Sequence, residues 1–260
     1  MLKFTAGDEP FLTMREIGRF DRVSKFFLDG IVSFKVMPGK YCVGNILHGN
    51  HRYCFQKIDS GYQCNSCFRY NPFNFCSFCS GTRCYLKKKI CGEHIVYLAT
   101  FANILKVGVA SAKRFPQRVI EQGADYATVI AQTEDGLEAR RIESEIKKKF
   151  NITDKMYSKQ KRELLHKKDA RELGRHLITV AYADVIDTIP LEKRAEIDVL
   201  DLSENYIELE QRPVIQEISD NTDICGKVIG NKGNFLVLKV SNDNLMFNCY
   251  DLVGRVVRVG

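Results

Sequence analysis

The alternation of apolar and polar positions predicts a β-hairpin near the middle of the chain. Residues 94–101 (HIVYLATF) and 104–110 (ILKVGVA) are rich in β-branched and aromatic residues, which favour strands. Only Ala102 and Asn103 separate the two runs, and a connection of that length is typical of a tight hairpin turn. Two adjacent antiparallel strands are therefore expected here.

The segments after this hairpin predict helices around a third strand. Residues 114–122 have helical character, with Pro116 near the start, where proline is tolerated, and Gly123 as the stop. Residues 126–132 (YATVIAQ) predict a strand, and residues 135–150 predict a helix. The apolar positions of that second helix recur at roughly helical spacing: Leu137, Ile142, Ile146 and Phe150.

The rest of the chain is helical at first and then β-rich. Residues 155–176 predict a basic helical stretch, and residues 176–186 (HLITVAYADVI) predict a strand because of their β-branched content. Strands are also predicted on both sides of Asp29–Gly30 and again from about Asn205 onward. The loop from Gly230 to Gly233 resembles the GxxG loop of KH RNA-binding modules, but its strand-like flanks favour a hairpin turn.

Composition narrows the class of protein. The chain has 260 residues, of which 45% are hydrophobic and 27% are charged, which is typical of globular proteins and excludes disorder of the whole chain. No run approaches the roughly 18 to 20 apolar residues of a spanning helix, so no membrane association is expected. Asp8, Glu9 and Pro10 interrupt the place where a secretory signal would be apolar. We therefore expect a cytoplasmic protein.

Clustered cysteines provide the strongest chemical signal. Eight of the ten cysteines lie between Cys42 and Cys91, and they include two CxxC pairs. In a reducing compartment such clustering favours metal binding over disulfides, and eight thiolates match two closed tetrahedral Zn²⁺ sites. The preferred partition has one set of Cys42, Cys54, Cys64 and Cys67 and a second set of Cys76, Cys79, Cys84 and Cys91.

Other arrangements of these cysteines remain open. Both CxxC pairs can share one ion, and His48 or His51 can replace a cysteine as a ligand. Four thiolates serve an iron–sulfur cluster equally well, and a disulfide framework is a further alternative. Spacing alone does not choose among them.

Charge is distributed unevenly along the chain. Residues 86–176 contain 20 lysines and arginines against 12 acidic residues, a net charge of +8, whereas residues 184–223 contain 3 against 12, a net charge of −9. A basic region of this kind favours an anionic partner, and together with zinc it indicates nucleic acid, either DNA or RNA. The alternatives are a solvated helix face and an acidic segment that packs against the basic one.

The order hairpin, helix, strand, helix resembles the GIY-YIG nuclease superfamily over residues 94–151. Val96-Tyr97-Leu98 corresponds to the first triplet, with the tyrosine retained, and Lys106-Val107-Gly108 corresponds to the second, with lysine in place of tyrosine. Arg118, with Arg114 as its rival, corresponds to the arginine on the following helix. Glu143 matches the metal-binding glutamate, and Asn151 matches an asparagine that often follows it.

The resemblance implies a mechanism of phosphodiester hydrolysis. Tyr97 would act as the base that activates water, assisted by Lys106. Alternatively, a desolvated Lys106 would itself be the base, or it would bind a phosphate oxygen. Arg118 would stabilise the charged transition state, and Glu143 would bind Mg²⁺. Gly108, Arg114 and Asn151 are the further residues expected at the substrate, Gly108 because it would let the backbone turn tightly beside the phosphate.

The whole chain also resembles an uncharacterised prokaryotic family of unknown function, in which a cysteine-rich segment precedes a core of this kind. The matching stretches are Val96–Ala99, Lys106–Gly108 and Glu121–Ala124. We therefore expect an α+β fold with a GIY-YIG-like core, a small antiparallel sheet, a zinc module and a β-rich unit built from both termini. The predicted segments are 1–40, 41–92, 93–180 and 181–260. The expected function is metal-dependent cleavage of DNA or RNA, and the alternative is a noncatalytic nucleic-acid-binding adaptor.

Overall fold

The computed structural model describes most of the chain. The described residues are 1, 3–7, 9–17, 23–47, 50–70, 74, 76, 79, 81–84, 91–165, 168–206, 209 and 212–260. They divide into two compact units, of which the first comprises Met1–Asn74 with Gln211–Gly260 and the second comprises Phe75–Glu210. This division falls inside the predicted segments 41–92 and 181–260. Each unit is described separately below.

The described helices and strands form a mixed α+β arrangement, with most strands near the two ends of the chain. The strands are β1 (Lys3–Thr5), β2 (Phe11–Arg15), β3 (Val23–Phe27), β4 (Ile31–Lys40), β5 (Asn45–Leu47), β6 (Asn50–Arg52), β7 (His94–Phe101), β8 (Ile104–Ser111), β9 (Tyr126–Thr133), β10 (Leu200–Asp201), β11 (Val214–Ile215), β12 (Asp223–Lys232), β13 (Phe235–Val240), β14 (Asp243–Asn248) and β15 (Arg255–Val259). The α-helices are α1 (Asn65–Tyr70), α2 (Phe115–Gln122), α3 (Gly136–Phe150), α4 (Ser158–Leu164) and α5 (Lys168–Val185). Short 3-10 turns lie at Ala112–Arg114, Ile186–Thr188, Leu191–Lys193, Ser203–Asn205 and Cys249–Leu252.

The first unit is built mainly from antiparallel strands. Its largest sheet has the order β11-β14-β13-β12-β4-β15, so strands from both ends of the chain share one sheet. Along β4 the buried positions are Val32, Phe34 and Val36, and this period of two leaves the intervening residues nearer to solvent. A three-stranded sheet, β1-β2-β3, and the pair β5-β6 complete the described strands of this unit.

The C-terminal part of that sheet contains the segment from Gly230 to Gly233, whose sequence resembles a KH loop. Strands β12 and β13 pair antiparallel, with Lys232 opposite Phe235. Gly233 lies in the turn between them and has a φ of +57°, a conformation that glycine adopts without strain. Gly230, Asn231 and Lys232 are the last residues of β12, and Gly233 begins the hairpin turn, so the likeness to a KH loop, which joins two helices, is wrong.

The described residues of the second unit form one sheet with helices on both faces. The sheet has the order β10-β9-β7-β8, and all its pairings are antiparallel. The hairpin predicted from the sequence is present as β7 and β8, with Tyr97 opposite Gly108 and Ala99 opposite Lys106. Every position of β7 after His94 is buried, which explains its nearly continuous apolar run.

The two faces of this sheet pack against different helices. Ile95, Tyr97 and Ala99 of β7 pack with Phe115 and Val119 of α2. On the other face, Val96 and Leu98 belong to a cluster that includes residues of α3 and α5. The members contributed by these two helices are Ala139, Ile142, Ile146, Ala181 and Val185.

Local signals place the ends of α2 and α3 where the sequence predicts them. Pro116 lies in the first turn of α2, and Gly123 ends that helix in the left-handed conformation, with a φ of +74°. Asp135 caps α3, since its Oδ1 accepts the amides of Leu137 and Glu138, both at 3.0 Å. These predictions are confirmed, and they fix the orientation of the side chains that project from both helices.

The predicted strand at 176–186 is wrong, because this segment forms most of α5. The β-branched residues suggested a strand, but the buried positions are Gly174, Ile178, Ala181 and Val185. Their spacing of four, three and four residues places them on one face of a helix. None of the helices in the described part of the chain combines the length and the apolar character that a membrane span requires.

Candidate functional site

Four cysteines of the first unit converge on one point. The Sγ atoms of Cys42, Cys54, Cys64 and Cys67 all lie within 4.8 Å of one another, and the Cys54 and Cys64 sulfurs are 3.9 Å apart. We call these residues the first cysteine set. Four thiolates at this separation can surround a single metal ion such as zinc, for which a tetrahedral all-sulfur site is typical.

Backbone amides point at the sulfurs of this set. The amide of Gly44 donates to Cys42 Sγ at 3.3 Å, and the amide of Cys64 donates to the same sulfur at 3.2 Å. Gly44 has a φ of +81°, and a Cβ there would lie only 1.9 Å from the carbonyl oxygen of Arg52. Only glycine therefore allows the tight turn that directs this amide at the sulfur.

The thiol pKa values show how strongly these sulfurs interact. Burial raises the pKa of Cys42, and the amides of Cys64 and Gly44 act against that rise. The amide of Cys67 lowers the pKa of Cys64 to about 7. Burial raises the pKa of Cys67, and the neighbouring thiols raise it further. Amide donors that stabilise thiolates fit a metal ion, because only the deprotonated sulfur is a ligand.

A histidine near this set has another function. His51 Nε2 lies 2.6 Å from the carbonyl oxygen of Val43, and its Nδ1 lies 3.2 Å from Arg15 Nη2. Both ring nitrogens therefore have partners, and the ring holds the backbone beside Cys42. His48, the other histidine considered as a ligand, lies outside the described residues.

The other four cysteines, Cys76, Cys79, Cys84 and Cys91, belong to the second unit and form the second cysteine set. Cys79, Cys84 and Cys91 act electrostatically on Cys76, where burial and these thiols raise the pKa. Among the described residues, however, only the first set brings its sulfurs within 4.8 Å of one another. Cys91 Sγ accepts the amide of Gly136 at 3.2 Å, so this set adjoins the start of α3.

Two of the predicted site residues, Tyr97 and Lys106, meet at Gln122. The hydroxyl of Tyr97 donates to Gln122 Oε1 at 3.0 Å, and Lys106 Nζ donates to the same oxygen at 2.9 Å. The amine also lies 5.8 Å from the centre of the Tyr97 ring. Tyr97 is only 1% exposed and Lys106 is half-buried, so this phenol and this amine are largely shielded from solvent.

Burial changes the proton affinity of both groups. Desolvation raises the pKa of Tyr97, although the charge of Arg118 and the bond to Gln122 oppose the change. Desolvation lowers the pKa of Lys106 to about 8, and Arg118 lowers it as well, against the opposing charges of Glu143 and Asp154. The neutral amine is therefore the more accessible base near neutral pH.

Two of the predicted charges reach this pair from different helices. Arg118 on α2 and Glu143 on α3 both act electrostatically on Tyr97 and on Lys106. Glu143 is buried and forms an ion pair with Arg140, at 2.6 Å. Lys147 lies one turn after Glu143 on the same helix but pairs with Asp154, at 2.7 Å.

The three residues expected at the substrate have structural functions in the described structure. Gly108 makes room for the tyrosine ring, since a Cβ there would lie 2.6 Å from the Tyr97 hydroxyl, which corrects the expectation of a tight turn. Arg114 pairs with the buried carboxylate of Glu121 at 3.0 Å. Asn151 is exposed and ends α3 in the left-handed conformation, with a φ of +53°.

The sequence did not identify Gln122 and Arg140 as site residues. Gln122 is the last residue of α2 and Arg140 lies one turn before Glu143 on α3, and both are common residue types on helix surfaces. A signal for Gln122 was present in the stretch Glu121–Ala124, which supports the resemblance to the uncharacterised family.

Part of the acidic segment packs on the basic one within the second unit. Burial alone would raise the pKa of Asp201, but hydrogen bonds from Ser203 and the charges of Arg171 and Arg175 lower it. The charge asymmetry of the sequence is thus partly neutralised inside the fold.

Comparison with known proteins identifies the family but not an activity. No curated protein and no solved structure matches the chain. One family model, described as a protein of unknown function (DUF2797), matches residues 32–257 and so covers most of the chain. The chain therefore belongs to the DUF2797 family of proteins of unknown function.

Proposed function

We propose that this protein hydrolyses phosphodiester bonds in DNA or RNA, with Mg²⁺ as cofactor, at a divergent GIY-YIG-like site. The observation that carries the proposal is the meeting of four side chains from four elements. Tyr97 of β7 and Lys106 of β8 share one acceptor, and Arg118 of α2 and Glu143 of α3 act on both. A half-buried amine with a lowered pKa beside a guanidinium and a carboxylate is typical of catalytic sites.

In this proposal Lys106 is the general base. Its pKa of about 8 leaves a substantial neutral fraction near physiological pH, and a general base works best when its pKa is near the working pH. Tyr97 has a raised pKa, so its hydroxyl is better suited to fix Gln122, and through it the amine, than to carry a negative charge. This is the alternative that the sequence left open for a desolvated Lys106, in place of the tyrosine as the base.

Arg118 and Glu143 have separate functions in the proposal. Arg118 is half-buried on α2 and would bind the phosphate, because a guanidinium can donate to two phosphate oxygens at once. Glu143 would hold Mg²⁺ through one carboxylate, and this minimal donor set fits an ion that keeps most of its own waters. Arg140 occupies Glu143 Oε2 and fixes the carboxylate orientation. The ion supplies charge neutralisation at the phosphate.

One observation favours the alternative, a noncatalytic nucleic-acid-binding protein. Tyr97 is almost fully buried, and Glu143 already has a cationic partner in Arg140. With the tyrosine buried and the carboxylate already paired, the surrounding lysines and arginines would bind a phosphate backbone without cleaving it. Binding that weakens with salt, without any cleavage, is the expected behaviour in that case.

The experiment that separates the two functions combines cleavage with binding. Labelled single- and double-stranded DNA and RNA are incubated with the wild type and with Glu143→Gln, at matched Mg²⁺ concentrations. The substitution keeps a group that can accept a hydrogen bond from Arg140 but removes the charge, so cleavage should fall at least 100-fold while the dissociation constant stays within a few-fold. A wild type that binds every substrate and cleaves none would support the adaptor.

A further inference from the structure

We propose that the second cysteine set, Cys76, Cys79, Cys84 and Cys91, binds its own zinc ion and that this zinc site anchors the N-terminal part of α3, which carries Arg140 and Glu143. Cys79, Cys84 and Cys91 all act electrostatically on Cys76, so the four thiols are neighbours, although their sulfurs are more widely spaced than those of the first set. Zinc is favoured because four thiolates that close around it form a tetrahedral site. The anchoring rests on the geometry of the second unit alone, whereas its effect on catalysis rests on the proposed function.

The first contact in this arrangement joins a sulfur to the start of the helix. The amide of Gly136, the first residue of α3, donates to Cys91 Sγ at 3.2 Å. A Cβ on Gly136 would lie 2.9 Å from the same sulfur and 3.1 Å from His94 Nε2. Glycine is therefore required where the sulfur approaches the backbone, and the helix start and the sulfur are closely packed.

The second contact lies one turn further along the helix. Arg141 Nε donates to the carbonyl oxygen of Gly81 at 2.9 Å. Gly81 has a φ of +84°, and a Cβ there would lie 2.7 Å from the amide nitrogen of Arg141. The loop between Cys79 and Cys84 is thus packed directly on the backbone of α3.

The third link leads from the cysteines to the candidate active site. Arg140 acts electrostatically on Cys76, on Tyr97 and on Lys106, and it forms the ion pair with Glu143. Arg140 and Arg141 are adjacent, so one turn of α3 contacts the cysteine loop and the carboxylate at once. A metal ion bound by the four cysteines would fix this loop and would therefore restrict the movement of that turn of α3. Contacts between metal ligands and the residues around them hold both in a defined orientation.

The test measures metal content and backbone protection before any activity. The wild type, as purified in the reducing buffer, should contain two zinc ions per chain, and Cys76→Ser should contain one. Hydrogen exchange of the amides at 137–144 should become at least ten-fold faster in Cys76→Ser, because the loop no longer holds the helix. Amides of β12 and β13 in the first unit provide the internal reference and should not change.

A matched control separates loss of metal from loss of a cysteine. Cys225 is exposed and belongs to neither set, so Cys225→Ser should keep two zinc ions and the exchange rates of the wild type. If Cys76→Ser fails to fold, graded chelation of the wild type gives the same readout, with exchange at 137–144 increasing as the second ion leaves. A wild type with one ion, or loss of the second ion without faster exchange, overturns the inference.

The outcome for catalysis is distinguishable from the outcome for anchoring. If the wild type cleaves nucleic acid, Cys76→Ser should cleave at least ten-fold more slowly, and Cys225→Ser should be unchanged. If the wild type never cleaves but the second ion still protects 137–144, the proposed function fails and the anchoring stands. If cleavage is present and unaffected by loss of the second ion, the anchoring of a catalytic helix is contradicted.

Discussion

The first cysteine set and the site around Lys106 are assembled in opposite ways. The cysteine set uses one residue type, and its four sulfurs converge with amides directed at them. The site around Lys106 uses an amine, a phenol, a guanidinium and a carboxylate, and it depends on burial to alter their proton affinities. The first arrangement is suited to hold the chain together, and the second is suited to chemistry. Changes in the two regions should therefore have different consequences.

The largest expected effect is on stability, at the first cysteine set. Cys42→Ser removes a buried ligand that accepts two amide bonds. Metal binding at a free concentration about 1,000-fold above its dissociation constant stabilises the folded state by about 4 kcal/mol, and most of this should be lost. Chemical unfolding with and without chelator measures it, with Cys225→Ser as the control. Equal stability of the two variants would mean that no metal stabilises this unit.

The next effect should appear in activity, at Lys106. Below its pKa of about 8 the amine is protonated, so the rate should rise about ten-fold per pH unit and then level off above pH 8. Lys106→Met should lower the rate by about 100-fold or more and remove this dependence. Tyr97→Phe keeps the amine and should retain the pH profile with a smaller loss of rate. A profile that disappears in Tyr97→Phe and persists in Lys106→Met would return the role of base to the tyrosine.

A smaller effect is expected where the two strands of the hairpin face each other. Gly108→Ala would place a methyl group 2.6 Å from the Tyr97 hydroxyl, and overpacking of this kind costs about 1 to 3 kcal/mol. The same Cβ would lie 2.6 Å from the ring carbon Cζ, so thermal unfolding of this variant and of Gly108→Ala combined with Tyr97→Leu, which removes the ring, tests the clash. If Gly108→Ala is as stable as the wild type, the tyrosine ring does not occupy the space above this glycine.

The smallest effect is expected at Asn151. This residue is exposed and left-handed at the end of α3, so Asn151→Ala should destabilise the fold by about 1 kcal/mol, and Asn151→Gly should not. Neither variant should alter nucleic-acid binding, because the asparagine acts as a helix cap. A loss of binding in both variants, without a change in stability, would restore the substrate contact expected from the sequence.

Periodicity was sufficient to predict the hairpin and the helices around it. The turn at Ala102–Asn103, the stop at Gly123 and the cap at Asp135 are local signals, and each occurs where expected. The prediction of a strand at 176–186 was wrong because it gave more weight to the β-branched content than to the spacing of the apolar positions. Packing of Ala181 and Val185 against the sheet, with Ile178 buried on the same helix face, stabilises a helix there despite the modest helix propensity of β-branched residues.

The sequence identified the cysteines but missed two residues of the site around Lys106, for a physical reason. Thiolate ligands are rare residues in a recognisable spacing, so the cysteines were found from their type alone. Gln122 and Arg140 are ordinary polar residues, and they matter only because folding brings them to Tyr97, Lys106 and Glu143. A contact of this kind depends on which face of a helix meets which strand, and local patterns do not specify that.

The most direct test of the central claim is a double-mutant cycle on cleavage, with Lys106→Met, Glu143→Gln and the double variant. Groups that act on the same phosphate within one catalytic site are strongly non-additive. The double variant should therefore cleave about as slowly as the slower single variant. Losses that multiply, or a wild type without cleavage on any of the four substrates, would contradict a single catalytic site.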